Sequence, residues 1–268
     1  MRHGDAPGEL YLSKCVRHLL LVLRQGSDRS VAFVALGKLA LVAPRHVSPH
    51  LDVITQQIRD STNLRSSRKA FCVEAVICVG MLTRALGVVV ENNISDIFDF
   101  LFNGGLSKPL VLSLVDIVKK LPGFTERVHL KLLNAISMTL ISEPYSGYDL
   151  EPIGSAGFSV PTGSDPTTNI VLALNTLSTF DFGPEALMHF TQNSVLELLE
   201  DEVESLRREA ATTCARMIRR VISCITPRSF YSRQVADAVG RLLRATAPHI
   251  HTQAGVSIVL GSGAEVFI

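Results

Sequence analysis

One helical pattern recurs along this chain, and its spacing restricts the fold more than any other feature. Asp28-Arg29, Ala32, Ala35-Leu36-Gly37 and Leu39-Ala40 make one copy. Arg68-Lys69-Ala70, Val79-Gly80-Met81-Leu82 and Ala85-Leu86-Gly87 make a second, and Leu206-Arg207-Arg208, Ala210-Ala211, Cys214-Ala215 and Met217-Ile218 a third. Small residues at helical spacing let one helix lie close against its neighbours. The charged residues opening each helix face the preceding turn. Repeated helix-turn-helix units cannot each bury their apolar face alone, so they stack into an open solenoid rather than close into a globule. Gly37 and Gly80, matched as landmarks, lie 43 residues apart. That falls within the about 40–47 residues of HEAT or armadillo units and above the shorter ankyrin and tetratricopeptide periods. Two helices per unit favour HEAT. The expected fold is all-α, an α-α superhelix of HEAT/armadillo type.

The order of helical stripes and breaks along the chain supports this. Residues 1–10 read as a disordered N-terminus, 11–141 as repeats, 142–169 as a Pro/Gly/Ser-rich insertion loop, 170–246 as repeats, and 247–268 as a non-repeat tail. Tyr11 to Arg24 reads as a helix with Leu12, Val16, Leu19, Leu20 and Leu23 inward. Gly26-Ser27-Asp28 breaks it and caps the next helix, which Pro44 ends. Helices follow from Ser48 or Pro49, over 68–87, over 95–102, over 108–120 behind a Ser107 cap, and from a Thr125 cap to about Ile141. After the insertion they resume at about 168–180, 184–199, 203–222 and 229–246. Val203, Leu206, Ala210, Cys214, Met217 and Val221 form an inward stripe in the third of these. No segment shows sustained strand alternation.

Composition excludes several function classes. Hydrophobic residues make up 47% and charged residues 19%, which argues for extensive burial. A formal net charge of +1 gives no general field for nucleic acid or an acidic membrane. The five cysteines contain no Cys-x-x-Cys pair, and Cys72, Cys78 and Cys214 sit in apolar helical stretches. They read as buried, reduced thiols of a cytosolic protein. Ala70 to Val90 is apolar enough for a membrane check, but Glu74 and Arg84 interrupt it and no second span accompanies it; it reads as a helix buried on most sides. No transmembrane segment and no signal peptide are expected.

Catalytic signatures are missing from the sequence. Gly261-Ser262-Gly263 lacks the Lys-Ser/Thr of a phosphate loop. His249 with His251 lacks a third ligand, and His46 with His50 has Pro49 between at a helix start and reads as a pair of surface histidines, so no metal and no cofactor is expected. The nucleophile elbow, the metalloprotease helix and the kinase Asp-Phe-Gly are all absent. The one uneven charge distribution lies near residues 197–220. There Glu197, Glu200, Asp201, Glu202 and Glu204 precede Arg207, Arg208, Arg216, Arg219 and Arg220. Local ion pairs, such as Glu204 with Arg207 or Arg208, account for part of it. The five arginines are also the candidate docking patch for an acidic partner surface.

An ordered set of short motifs carries a family resemblance. Tyr11-Leu12 with His18-Leu19-Leu20 and Val22-Leu23, then Ala32-Phe33 and Ala35-Leu36-Gly37, resembles a segment of the target of rapamycin (TOR) serine/threonine protein kinases. Met81-Leu82-x-Arg84-Ala85-Leu86-Gly87, Gly105-Leu106-Ser107, Ile170-Val171-Leu172-Ala173-Leu174-x-Thr176-Leu177 and Arg208-Glu209-Ala210-Ala211-x-Thr213-Cys214-x-Arg216 follow in the same order, from about residue 11 to 245. The resemblance implies part of the N-terminal HEAT region of a far longer kinase. ATP and Mg would belong to that parent's kinase domain, which has no counterpart here. It further implies a protein-binding scaffold in nutrient and growth signalling, with raptor- or rictor-type subunits and other TOR segments as partners. Its place would be cytoplasmic, peripheral at lysosome, vacuole or other endomembranes. The rival expectation is a stand-alone HEAT adaptor, such as a transport receptor or phosphatase scaffold. After Ala245 the chain departs from the family pattern, as a truncated gene model or retained non-coding sequence would give. The tail is therefore expected not to complete a repeat.

Overall fold

The computed structural model describes residues 7–26, 28–63, 71–145, 165–224 and 231–246. The expectations for most of the insertion loop, for the tail with Gly261-Ser262-Gly263 and the His249/His251 pair, and for residues 1–6 lie outside them. The described residues are helices and short turns with no strand among them. They fall into two compact units that divide between Val128 and His129.

The first unit is built from α1 (Pro7–Gln25), α2 (Arg29–Val42), the short α3 (Pro44–Val47), α4 (Leu51–Thr62), α5 (Val73–Leu86), α6 (Glu91–Ile97) and α7 (Lys108–Lys120). Two layers result. α1, α4 and α6 lie side by side in one, with α2, α5 and α7 in the other. Each hairpin thus contributes one helix to each layer, which is the two-layer stack of an α-α solenoid. The core between the layers holds Val16, Leu23, Phe33, Leu36, Ile54, Ile58, Val79, Phe98, Leu101, Leu114 and Ile117, all buried. Each such side chain contributes about 1.5–3 kcal/mol when fully buried.

The glycine landmarks occupy the helix crossings. A Cβ on Gly37 of α2 would lie 2.6 Å from the Met81 sulfur of α5. A Cβ on Gly80 of α5 would lie 2.7 Å from the Ser113 hydroxyl of α7 and 3.1 Å from its Cα. The missing side chains allow the close approach that the sequence pattern implied. At the second crossing the Ser113 hydroxyl donates to the Val76 carbonyl at 2.8 Å.

Several boundaries differ from the sequence expectation for identifiable reasons. Asp28 does precede α2, but in a left-handed conformation (φ 51, ψ 29) and with no side-chain capping bond. Arg29 instead donates from Nε to the Leu23 carbonyl at 3.1 Å, tying the turn to the end of α1. Pro44 does more than end α2: it opens α3, its fixed φ suiting a first helical position. Ser107 caps α7 as expected, accepting from the Leu110 N–H. Thr125 does not cap α8 (Thr125–Leu140) from outside; a 3-10 turn over Pro122–Phe124 runs straight into the helix. Helix 68–87 begins later than expected, at Val73.

Val73–Gly104 is apolar and long enough, taken as one helical run, to cross a membrane. It is not one straight helix, because Gly87 turns the chain at φ 56. α5 itself has 14 residues, about 21 Å at 1.5 Å per residue, against a hydrocarbon core of about 30 Å. It is packed between α2 and α7.

The second unit contains the rest of α8 with α9 (Pro166–Thr179), α10 (Pro184–Phe190), α11 (Glu204–Cys224) and α12 (Tyr231–Thr246). α11 is the hub, packed on α9, α10 and α12. Leu174, Leu177, Phe190, Leu206, Cys214, Met217 and Val221 are buried around it. The same hydroxyl device recurs: Thr213 of α11 donates to the Leu174 carbonyl of α9 at 3.4 Å. Val203 departs from the expected inward stripe. It precedes the helix and is 43% exposed. The expected helix 184–199 is interrupted by a widened π turn over Thr191–Val195 and a 3-10 turn over Glu197–Glu200. Thr191 and Ser194 donate back to the Leu187 and Phe190 carbonyls, which favours departure from a regular helix.

Candidate functional site

Polar seams run along both layers of the first unit. In the α2–α5–α7 layer, Ser30 donates to Glu74 at 3.0 Å, and the Cys72 thiol donates to the same oxygen at 3.5 Å. The N–H of Glu74 itself, helped by these two donors, holds its carboxyl below the usual range against the opposing effect of burial. Arg84 then clamps Asp116 with two bonds, at 3.2 and 2.6 Å. That pairing raises the arginine further above its ordinary value. In the α1–α4–α6 layer, Asn93 donates to Asp52 at 3.0 Å and Arg59 lies over the Phe100 ring. Arg127 reaches Asp99 at 3.2 Å and covers the Phe98 ring. Each contact joins one repeat to the next, so the seams fix how far each hairpin turns on its neighbour.

The five candidate arginines do not form one continuous patch. Arg207 is half-buried, and its guanidinium donates to the Asp201 and Glu202 carbonyls, both at 2.8 Å. It closes the link that enters α11. Arg208 is exposed and pairs with Glu204 at 3.1 Å, one of the expected local ion pairs. Two turns further on, Arg216 donates to the Ser178 hydroxyl at 3.3 Å and Arg220 to the Phe180 carbonyl. Both bonds hold α11 against the end of α9. Arg219 is exposed and makes no hydrogen bond or ion pair among the described residues. Arg208, Arg216 and Arg219 are thus exposed, Arg208 within a local ion pair and Arg216 bonded to α9, while the half-buried Arg207 and Arg220 serve the packing.

One cluster in the second unit had no signal in the sequence. His129 of α8 sits against Phe180 edge-on, with centroids 6.2 Å apart, and against Phe182 at 4.9 Å. Its partners are some fifty residues away in sequence, so no spacing rule joins them. Burial lowers its pKa, opposed by the charge of Asp181. His189 lies edge-on to Tyr145 and Phe190 and is lowered by burial as well. No group of three His, Cys, Asp or Glu residues that could hold a metal occurs among the described residues. Cys78 and Cys214 are buried, and burial pushes each thiol up to about 12. Cys72 is half-buried and Cys15 exposed.

Stacked hairpins with polar seams in the first unit, and helices packed around α11 in the second, place the chain in the class of all-α helical solenoids. No protein-family model matches it. It is 35% identical over 240 residues to the serine/threonine-protein kinase TOR of Arabidopsis thaliana, covering 87% of this chain and 10% of that protein. The rice kinase TOR (Oryza sativa subsp. japonica) is 33% identical over 74% of the chain and 8% of its own length. The Drosophila melanogaster serine/threonine-protein kinase mTor is 30% identical over 80% of the chain and 9% of its own length. This chain belongs with the TOR serine/threonine-protein kinases, as a match to one segment of them. It spans about a tenth of the length of these relatives.

Proposed function

We propose that this chain is a HEAT-repeat protein-binding scaffold, the counterpart of a non-catalytic N-terminal segment of a TOR kinase. The observation that carries this reading is an ordered match to TOR kinases over 87% of the chain, laid on a stack of helical hairpins. The segment holds regulatory subunits of the raptor or rictor type and other TOR segments in nutrient and growth signalling. ATP and Mg serve the kinase domain of the parent, and this chain catalyses nothing. It acts in the cytoplasm, peripherally at lysosome, vacuole or other endomembranes. The basic face of α11, from Arg207 and Arg208 to Arg216, Arg219 and Arg220, is its candidate contact with an acidic partner surface.

The test is a pull-down of raptor- and rictor-type subunits with the full chain, alongside a kinase assay. Charge reversal is best made at the exposed Arg208 and Arg219, since Arg207, Arg216 and Arg220 bond to neighbouring segments. Partner recovery should fall several-fold with the melting midpoint nearly unchanged. ATP-dependent phosphorylation by the chain alone would sink the scaffold reading. Recovery unchanged by charge reversal would remove the α11 face from it.

A further inference from the structure

We propose that the turn edge of the first unit docks an acidic segment of a partner protein, with an apolar side chain of that segment on Val88 and Val89 and its carboxylates on Lys119 and Lys120 to one side and Arg45 to the other. The helix register brings these residues together. Ser30 meets Glu74 and Gly37 meets Met81, a constant offset, so α2 and α5 run parallel. Gly80 meets Ser113 and Arg84 meets Asp116, so α7 runs the same way. Counted on from these contacts, the C-terminal ends of the three helices fall level. The turns that follow them share one edge: Arg45 after α2, Gly87–Val90 after α5, and Pro122 with Gly123 after α7. The last two turns are neighbours, since a Cβ on Gly123 would lie 3.8 Å from the Glu91 carboxylate.

The side chains on this edge are not those a turn needs. Turns are normally furnished with Gly, Pro, Asn, Asp and Ser. Here Gly87 supplies the bend at φ 56, and Val90 is buried and anchors it. Val88 and Val89 do neither, at 69% and 56% exposed. Arg45, Lys119 and Lys120 are exposed, and their side chains make no hydrogen bond or ion pair among the described residues. Of the nearby carboxylates, Asp116 is clamped by Arg84, and Glu91 lies on the α6 side of the turn. A bare apolar pair between two sets of unpaired cations is the complement of an apolar side chain between carboxylates. A membrane surface fits less well, because interfacial elements set Trp, Phe or Leu beside their cations, and this edge offers two short β-branched chains. Neighbouring helices pack about 8–10 Å apart, which an extended chain covers in about three residues. The carboxylates of the occupant therefore fall about three residues before and after its apolar residue.

The proposal rests on the scaffold reading only in taking the occupant to be a protein, and it uses none of the α11 arginines, so either site can fail without the other. The probe is a fluorescent extended peptide with a central leucine and glutamates three residues to either side, titrated with the full chain and read by anisotropy. It should bind more tightly than the same peptide with glutamine in place of glutamate, and more tightly than one with alanine in place of leucine. V88S/V89S and K119E/K120E should each weaken binding several-fold and leave the melting midpoint unchanged, since all four side chains are exposed. R208E/R219E should leave it intact. Equal binding of the glutamate and glutamine peptides would overturn the proposal, as would binding that survives both edge variants or is lost in R208E/R219E. Sedimentation of the chain with phosphatidylserine vesicles that K119E/K120E abolishes and the peptide does not compete would overturn the assigned occupant, making it a membrane surface instead.

Discussion

At the scale of residues, the two landmark glycines are not equivalent. The space beside Gly37 is closed by the Met81 sulfur at 2.6 Å, the far end of a flexible side chain, and more tightly fixed by the Met81 Cβ at 3.0 Å. The space beside Gly80 is closed by the hydroxyl and Cα of Ser113, and that hydroxyl is held by the Val76 carbonyl. Alanine in a helix is worth about 1 kcal/mol over glycine, whereas overpacking costs about 1–3 kcal/mol. Gly37→Ala should therefore be the milder change, costing under about 1 kcal/mol, because the Met81 sulfur can turn away and the propensity gain offsets part of the contact with its Cβ. Gly80→Ala should be destabilising by roughly 1–2 kcal/mol, because α7 has to move. Urea denaturation of the two variants separates these outcomes. Equal effects would mean that the crossings are not set by the side chains facing the glycines.

At the scale of elements, the link between α9 and α10 gathers Phe180 and Phe182 around His129 and presents the Phe180 carbonyl to Arg220. Both His129 and His189 have pKa values lowered in the fold, chiefly by burial. A histidine lowered on folding binds its proton more readily in the unfolded chain, so acid favours unfolding. The stability these rings contribute is fully present above the unfolded value, about 6.5. It is lost as pH falls through their folded values below that. The melting midpoint should drop between about pH 7 and pH 5, and His129→Gln with His189→Gln should flatten that slope. An unaltered slope in the double variant would place the acid sensitivity elsewhere.

These elements also show what was legible in the sequence. The period of the small residues and the stripes of α1 and α11 made the helices and their buried faces legible, because burial is written into helical spacing. The caps were legible only where a side chain does the work, as at Ser107. At Asp28 the backbone takes a left-handed turn and Arg29 supplies the bond, which no capping pattern encodes. The π turn at Thr191–Val195 and the His129 cluster depend on contacts between distant segments. The arginines of α11 were visible as a charge run, but their division between packing and surface was not. That division is set by where the Phe180 and Asp201 carbonyls fall in space.

At the scale of the whole molecule, a stacked chain is stabilised by each repeat and by its contact with the next. A core lesion should therefore be felt locally. Leu114 is fully buried in α7, and Leu114→Ala should cost about 2–5 kcal/mol. Hydrogen exchange should then accelerate in α5 and α7, while the amides of α9 and α11 in the second unit keep their protection. Uniform loss of protection across both units would show a single cooperative block instead.

The packing of α2, α5 and α7 also gives the stack a direction. Gly37 meets Met81, and Gly80 meets Ser113: each helix offers a hollow on the side of its successor and a projection on the side of its predecessor. Such an interface is heterologous, since the two surfaces that meet are different. A two-fold axis would bring hollow to hollow or projection to projection and waste both. The layer is thus built like an arrow, unsuited to pairing with a copy turned about a two-fold axis, and its order along the chain is readable from which side of each helix is bare.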